Sequence, residues 1–366
     1  MSVRIIKNHY WGIIILVVIM ILVGLILFTE QQANTKLNDK EKIVADALFE
    51  KTKPQCVGRY IIDVPDNWEN SSRDSVFIDD FHIESKFIYP PAFKQRIELR
   101  EKELREWKQS TENSPALKEV IQLPNDKGVI FDRNRSGSSD AYRTLEAHLY
   151  INHIAFIITS DIRDFSDKKY EKRKNNFLAR GGTEYLSNEK PARLAAIQSL
   201  ISRLSGRLDY EIPTEKGLCI PNGFILDNGE KHSEKVGFSY NTPDFIIGLQ
   251  LDNTIVGSDD TLFNRSSAID KSLNYTYFKT IQKQKLSPNG IPAETWLFGG
   301  EQVYDGVKMK VYKFDFYANE ATSSNNNPWL NIILNSEYRQ TSYSEAQMVE
   351  IWDRIVGSLR YKPNAF

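Results

Sequence analysis

The chain is poor in the residues that build metal and acid–base chemistry. Its 366 residues hold two cysteines, Cys56 and Cys219, and only 5 histidines. Two thiols cannot form a cysteine-rich zinc site or a disulfide-dense scaffold. An excess of one charge is missing as well: 47 Lys and Arg face 48 Asp and Glu, so bulk electrostatics gives no case for nucleic acid. The phosphate-cradling patterns G-x-x-x-x-G-K-[ST] and G-x-G-x-x-G do not occur. Nor does the nucleophile elbow G-x-S-x-G. The nearest string, "GFSYN" at Gly237–Asn241, lacks the second glycine that such a tight turn needs.

Residues that invite a site reading have plainer explanations. Asp132, Asn134, Ser136 and Gly137 fit the first half of a calcium loop, but Arg143 stands where the bidentate glutamate belongs. The stretch reads as a polar hairpin loop. His148 and His153 point to opposite faces of an extended chain unless a turn at Asn152 intervenes, and read as ordinary, partly exposed histidines. Asp161, Asp164, Asp259 and Asp260 lie in polar, loop-like stretches, where adjacent acids are common. The basic run "KKYEKRK", Lys168–Lys174, reads as a solvated helix face, with acidic lipid or protein as its alternative contact. Sequons at Asn70, Asn264 and Asn274 matter only in a eukaryotic secretory setting. No catalytic, metal or cofactor residue is expected.

What is present begins with a long apolar run. Residues 11–28, "WGIIILVVIMILVGLILF", carry no charge. As a helix they would span about 27 Å, close to the hydrocarbon thickness of a bilayer. A cleaved signal peptide is the rival reading, but its apolar stretch is usually about 7–15 residues and no small-x-small site follows Phe28. The expectation is an uncleaved anchor with a tail at 1–10 and a stalk with some helical tendency at 29–53. Lysine and arginine are nearly balanced on its two sides, so they do not orient it.

Two similar halves follow, expected at 54–210 and 211–366. Each opens with a cysteine ahead of an apolar run: "QCVGRYIIDVP" and "LCIPNGFILDNGE". In the first, Tyr60, Ile62 and Val64 alternate as in a strand with a buried face. The stretch "AFKQRIELREKELREWKQS" places Phe93, Ile97, Arg100, Leu104 and Trp107 on one helical stripe. Strand-like runs joined by short turns then predict an antiparallel meander. Each half closes on a helix, with Leu194, Ile197, Leu200, Ile201 and Leu204 as one stripe. Met348, Ile351, Trp352, Ile355 and Leu359 form the other, behind a Ser344–Gln347 capping box. The expected fold is α+β: two domains, each an antiparallel sheet packed by amphipathic helices, after a transmembrane helix.

The segments "CVGRYIIDVP", "EIPTEKGLCIPNGFI" and "IWDRIVGSLRYKP" resemble the immunity proteins of type VI secretion lipase effectors. The resemblance runs from Cys56 to Pro363, with Gly217–Cys219 matching the start of the family's C-terminal domain. It implies a two-domain, non-enzymatic protein, single-pass in the inner membrane with its soluble domains in the periplasm. Such a protein clamps a secreted phospholipase between its domains and blocks lipid access. The alternatives are a non-enzymatic envelope scaffold or sensor, and an envelope enzyme with an unrecognised site. Trp68 and Trp329, on loop-like stretches, are candidate partner contacts, since tight interfaces centre on desolvated aromatics; packing within their own domains is the competing reading. A periplasmic address also makes a Cys56–Cys219 disulfide the natural expectation, against two buried free thiols. It would close a loop of about 160 residues, worth at most about 5 kcal/mol in the chain-entropy model.

Overall fold

The computed structural model describes residues 36–71 and 75–366. The expected anchor at 11–28 lies outside the described residues. Among those described, no helix is long and apolar enough to cross a membrane.

The N-terminal half starts with helix α1 (Asp39–Leu48) and a hairpin of β1 (Thr52–Val57) and β2 (Tyr60–Pro65). A second hairpin, β3 (Ser75–Ile78) and β4 (Phe81–Phe87), leads into α2 (Pro90–Glu106). The meander is β5 (Leu117–Gln122), β6 (Gly128–Asn134), β7 (Tyr142–Ile151) and β8 (Ile154–Arg163). Helices α3 (Glu171–Ala179), α4 (Glu184–Ser187) and α5 (Lys190–Arg203) and the short β9 (Leu204–Gly206) end this half. The second half repeats the plan with hairpins β10 (Gly217–Ile220)–β11 (Gly223–Leu226) and β12 (Glu234–Asn241)–β13 (Ile246–Asp252). Helix α6 (Ser266–Leu273) precedes β14 (Phe278–Leu286), β15 (Ala293–Tyr304), β16 (Val307–Ala318) and β17 (Trp329–Asn335). Helix α7 (Glu345–Gly357) and β18 (Arg360–Tyr361) close the chain.

The expectation of one sheet per half needs correction. Strands β3 and β12 pair antiparallel, with Val76 opposite Val236. They fuse the halves into one twelve-stranded sheet, in the order β14-β15-β16-β17-β13-β12-β3-β4-β8-β7-β6-β5. Read outward from β3 and β12, the order is the same in both directions, which is a topological two-fold. Each half alone would leave β3 or β12 as an open edge, an exposed template for aggregation, and pairing the two edges removes it.

The small sheets are shared as well. Strand β9 of the first half pairs with β11 of the second, and β18 of the second pairs with β2 of the first. Each half thus lends its last strand to the other's first hairpin. Where these hairpins meet, Gly58 and Cys219 exchange backbone hydrogen bonds of 2.9 and 2.8 Å. Gly58 has φ +61°, and any Cβ there would collide with Leu251. The Cys56–Cys219 disulfide closes this seam, with the Cα atoms 5.8 Å apart.

One continuous core joins the halves on a single face of the large sheet. Ile197 and Leu200 of α5, Met348, Ile351, Trp352 and Ile355 of α7, and Tyr60 and Leu218 of the hairpins all belong to it. The expected stripe of α7 is buried along its whole length through Leu359, behind the Ser344–Gln347 capping box. Part of the segment expected as a stalk is body instead. Helix α1 packs on α7, with Ala45 fully buried and Arg354 bonded to Asp46 at 2.6 Å.

Candidate partner-binding face

Among the described residues, the opposite face of the sheet is only partly covered, and its floor can be traced through the register. Phe131, Glu146, Thr159, His82, Phe77, Lys235, Asp252 and Trp329 sit opposite one another in turn from β6 to β17, so they share that face. One row over, Gly237, Gln250, Asn331, Tyr317 and Glu294 follow the same rule.

Two helices wall this face. Helix α2 covers the β5–β6 end, where Leu104 packs with Leu117, Val129 and Phe131, flanked by Ile97 and Trp107. The polar member of its predicted stripe, Arg100, finds its reason here. Its Nε and Nη2 donate to the Glu146 carboxylate at 2.8 and 2.9 Å. Glu146 is buried, which alone would raise its pKa. His148, Arg100 and Arg133 outweigh burial and hold the carboxyl well below the usual range. Helix α6 walls the other end over Trp296 and Phe298, with Ile269 and Leu273 against them. There the Lys283 ammonium stands 3.9 Å over the Trp296 ring.

Between the walls lie six strands, β8, β4, β3, β12, β13 and β17, a floor about 25 Å wide. It exposes Phe77 and Ile333, at 41% and 39%. Trp329 is half-buried, its ring 5.7 Å from that of Tyr317. Around these apolar groups stand Glu84, Lys86, Lys235 and Gln250, all exposed, and Lys235 pairs with Asp252 at 3.1 Å. An apolar centre with a charged surround has the anatomy of a protein interface. Gly237, Ser239 and Gly248 put small residues in the middle of the floor, where Ile333 leans over Gly248 and Ser71 bonds Ser239.

The sequence candidates scatter over the molecule. Trp329 lies on the floor. Trp68 lies across the sheet in the core, buried, with its ring centroid 5.9 Å from that of Tyr240 and 5.6 Å from that of Phe245. Cys56 and Cys219 are fully buried at the seam. Arg143, which spoiled the calcium template, forms ion pairs with Asp132, at 3.1 Å, and with Asp164. A turn does fall at Asn152 and His153, both at positive φ; His148 is buried beside Glu146 and His153 is exposed. In the basic run, Lys169 bonds Asp140 at 2.8 Å and Lys174 bonds Glu184 at 2.6 Å. Asp259 and Asp260 are exposed on the loop before α6. No three His, Cys, Asp or Glu among the described residues are grouped to hold a metal.

Buried charges at the seam were not foreseen. Arg59 pairs with Glu234 and, at 3.1 Å, with Asp227, and donates to the Ala365 carbonyl. Arg207 and Lys362 follow the exchanged strands β9 and β18. Arg207 donates to the carbonyls of Gly223, Leu208, Asp209, Glu211, Cys56 and Ile220. Lys362 donates to those of Glu215, Pro363 and Asn364. Burial, then the charge of Arg59, pushes Lys362 down to about 8. Only knowledge of the strand exchange would single out these cations in the sequence.

Solved structures share this fold. The apo immunity protein TplEi of the T6SS from Pseudomonas aeruginosa superposes with a TM-score of 0.64 at 19% identity, over 86% of this chain and 98% of that one. The Tle4–Tli4 complex gives 0.65 at 18% over 86% and 98%. TplEi complexed with an "L" peptide gives 0.60 at 18% over 85% and 98%. No curated protein sequence matches the chain. The class that the family models over both halves define is the immunity protein of type VI secretion lipase effectors. Within it, the chain belongs to the Tle cognate immunity protein 4 family, whose N-terminal domain matches residues 53–207 and whose C-terminal domain matches 211–364.

Proposed function

We propose that this protein is a membrane-anchored, periplasmic immunity protein that takes its cognate lipase effector onto the walled sheet face and blocks lipid access to it. The observation that carries the reading is the family match across both halves. The shared sheet and the seam disulfide support a rigid cradle, because a preformed surface loses little freedom on binding. The clamp expected of two domains then works through the walls α2 and α6 rather than through a hinge between halves. Residues 11–28 supply the anchor, and the disulfide suits an oxidising compartment.

The test uses the full chain and the lipase encoded beside it. One equivalent of the chain should abolish turnover of a phospholipid substrate. Changing Phe77→Asp and Ile333→Asp together should weaken inhibition at least tenfold at unchanged melting temperature. A chain without effect on that lipase overturns the function. Full inhibition by the double variant overturns the face.

A further inference from the structure

The β15–β16 hairpin outgrows its sheet. Strand β17 pairs with β16 only along Lys313–Ala318, and β14 reaches no further than Gly300 on β15. Beyond that, Glu301–Tyr304 and Val307–Lys310 pair only with each other. This ribbon projects about 13 Å and turns through Asp305 and Gly306, both at positive φ, as a two-residue hairpin turn requires. Its tip exposes apolar surface: Val303 is 69% accessible, Tyr304 46% and Val307 48%. Tyr338, also exposed, stacks edge-on to Tyr304 at 5.3 Å. Lys279, Lys308 and Lys310 surround Glu301, and Lys308 bonds it at 2.5 Å.

The N-terminal end of the described chain sits at the root of this hairpin. The Gln347 amide donates to the Glu41 carbonyl at 3.1 Å, which places the start of α1 beside the start of α7. There the Glu345 carboxylate lies next to Gly299, where the ribbon leaves the sheet. The Tyr338 amide donates to Gln302 at 3.1 Å. Asn38 is ten positions along the chain from Phe28, the end of the apolar run, a reach of at most about 35 Å. Lys36 before α1, and Lys40 and Lys42 in its first turn beside Asp39 and Glu41, also lie at this end.

We propose that the tip of the β15–β16 hairpin docks on the lipid surface into which residues 11–28 insert, making a second contact that orients the protein there. This rests on the reading of 11–28 as an anchor. Tyrosine and valine with flanking lysines suit the interfacial zone: the rings sit at headgroup depth while the ammonium groups meet anionic phosphates. The tip stands at the strand ends, beyond the walled floor, so both contacts can be made together.

The full chain is reconstituted in vesicles of phosphatidylethanolamine and phosphatidylglycerol, 3:1, with a fluorophore at Asp305→Cys and, for comparison, at Ser136→Cys on the corresponding loop of the first half. Headgroup-level nitroxide lipid should quench the label at 305 at least threefold more than the label at 136. Adding Val303→Asp, Tyr304→Asp and Val307→Asp should erase that difference. A chain that remains in the vesicles through an alkaline wash with both labels equally exposed to aqueous iodide overturns the docking alone. A chain released by the wash overturns the anchor and the docking with it. A triple variant that stays anchored but loses lipase inhibition, with the 305 label exposed throughout, assigns the tip to the effector and also overturns the proposal.

Discussion

The two halves match strand for strand, yet they treat one connection in opposite ways. Between β6 and β7, the strands stop at Asn134 and Tyr142 and the loop is tied down. Asp140 accepts from Lys118 at 2.9 Å, from Lys169 at 2.8 Å and from the Tyr170 hydroxyl. Helix α3, which has no counterpart in the second half, brings Arg173 over Tyr142. Between β15 and β16, the strands run on to Tyr304 and Val307 as a two-stranded ribbon, touched by Tyr338, whose ring meets Tyr304 edge-on and whose amide donates to Gln302. The sheet is the frame the halves share, and the connections are where they differ. One is an electrostatic clasp and the other is a free arm.

The largest expected effect comes from cutting the chain after Leu359. The loss of β18 should strike the first half, because β18 pairs with β2 and the tail caps Arg59. Stability should fall by about 4 kcal/mol or more, because β2 loses its partner strand and Arg59, still paired with Glu234 and Asp227, loses the Ala365 carbonyl. Hydrogen exchange should show deprotection of the amides of β2 before those of β10 and β11. Next, the pair Cys56→Ser and Cys219→Ser should cost about 2–4 kcal/mol in denaturant unfolding, spread evenly over both halves.

A smaller effect belongs to the clasp. Asp140→Asn should cost about 1–3 kcal/mol at neutral pH, because the half-buried donors Lys118 and Tyr170 lose a charged acceptor. Burial raises the Asp140 pKa, but Lys169, Tyr170 and Lys118 outweigh it and bring the carboxyl down to about 2, from 3.8. A depressed carboxylate stabilises the fold fully above its unfolded value, and that share is lost as the pH falls through the folded one. Thermal unfolding of wild type and variant should therefore converge between pH 4 and pH 2. The smallest effect is expected at the arm: Tyr304→Asp should move stability by no more than about 0.5 kcal/mol, since the ring supports no core.

Much of the frame was legible in the sequence because period and punctuation are local. The stripe of α7, its capping box, the alternation of Tyr60, Ile62 and Val64 in β2, and the repeated cysteine opening all follow from neighbours within a few residues. Arg100 broke its stripe for a reason that lies 46 residues away, at Glu146. The joining of β3 to β12 and the exchange of β9 and β18 are equally non-local. Very short strands such as β9 and β18 carry almost no periodic signal. The partner face suffers most from this. Phe77 and Ile333 lie far apart in the chain, and only the register of the strands between them brings both onto one floor.

The exchange of end strands has a meaning outside this molecule. A self-complementary edge, a cysteine meeting its own equivalent and a terminal strand given across the axis are what a two-fold dimer presents at an isologous contact. Here both protomers are written into one polypeptide. Fusion removes the dependence of such an assembly on concentration. It also frees each copy to change alone, which a homodimer cannot do. The chain uses that freedom: a clasp stands on one side of the axis and an arm on the other.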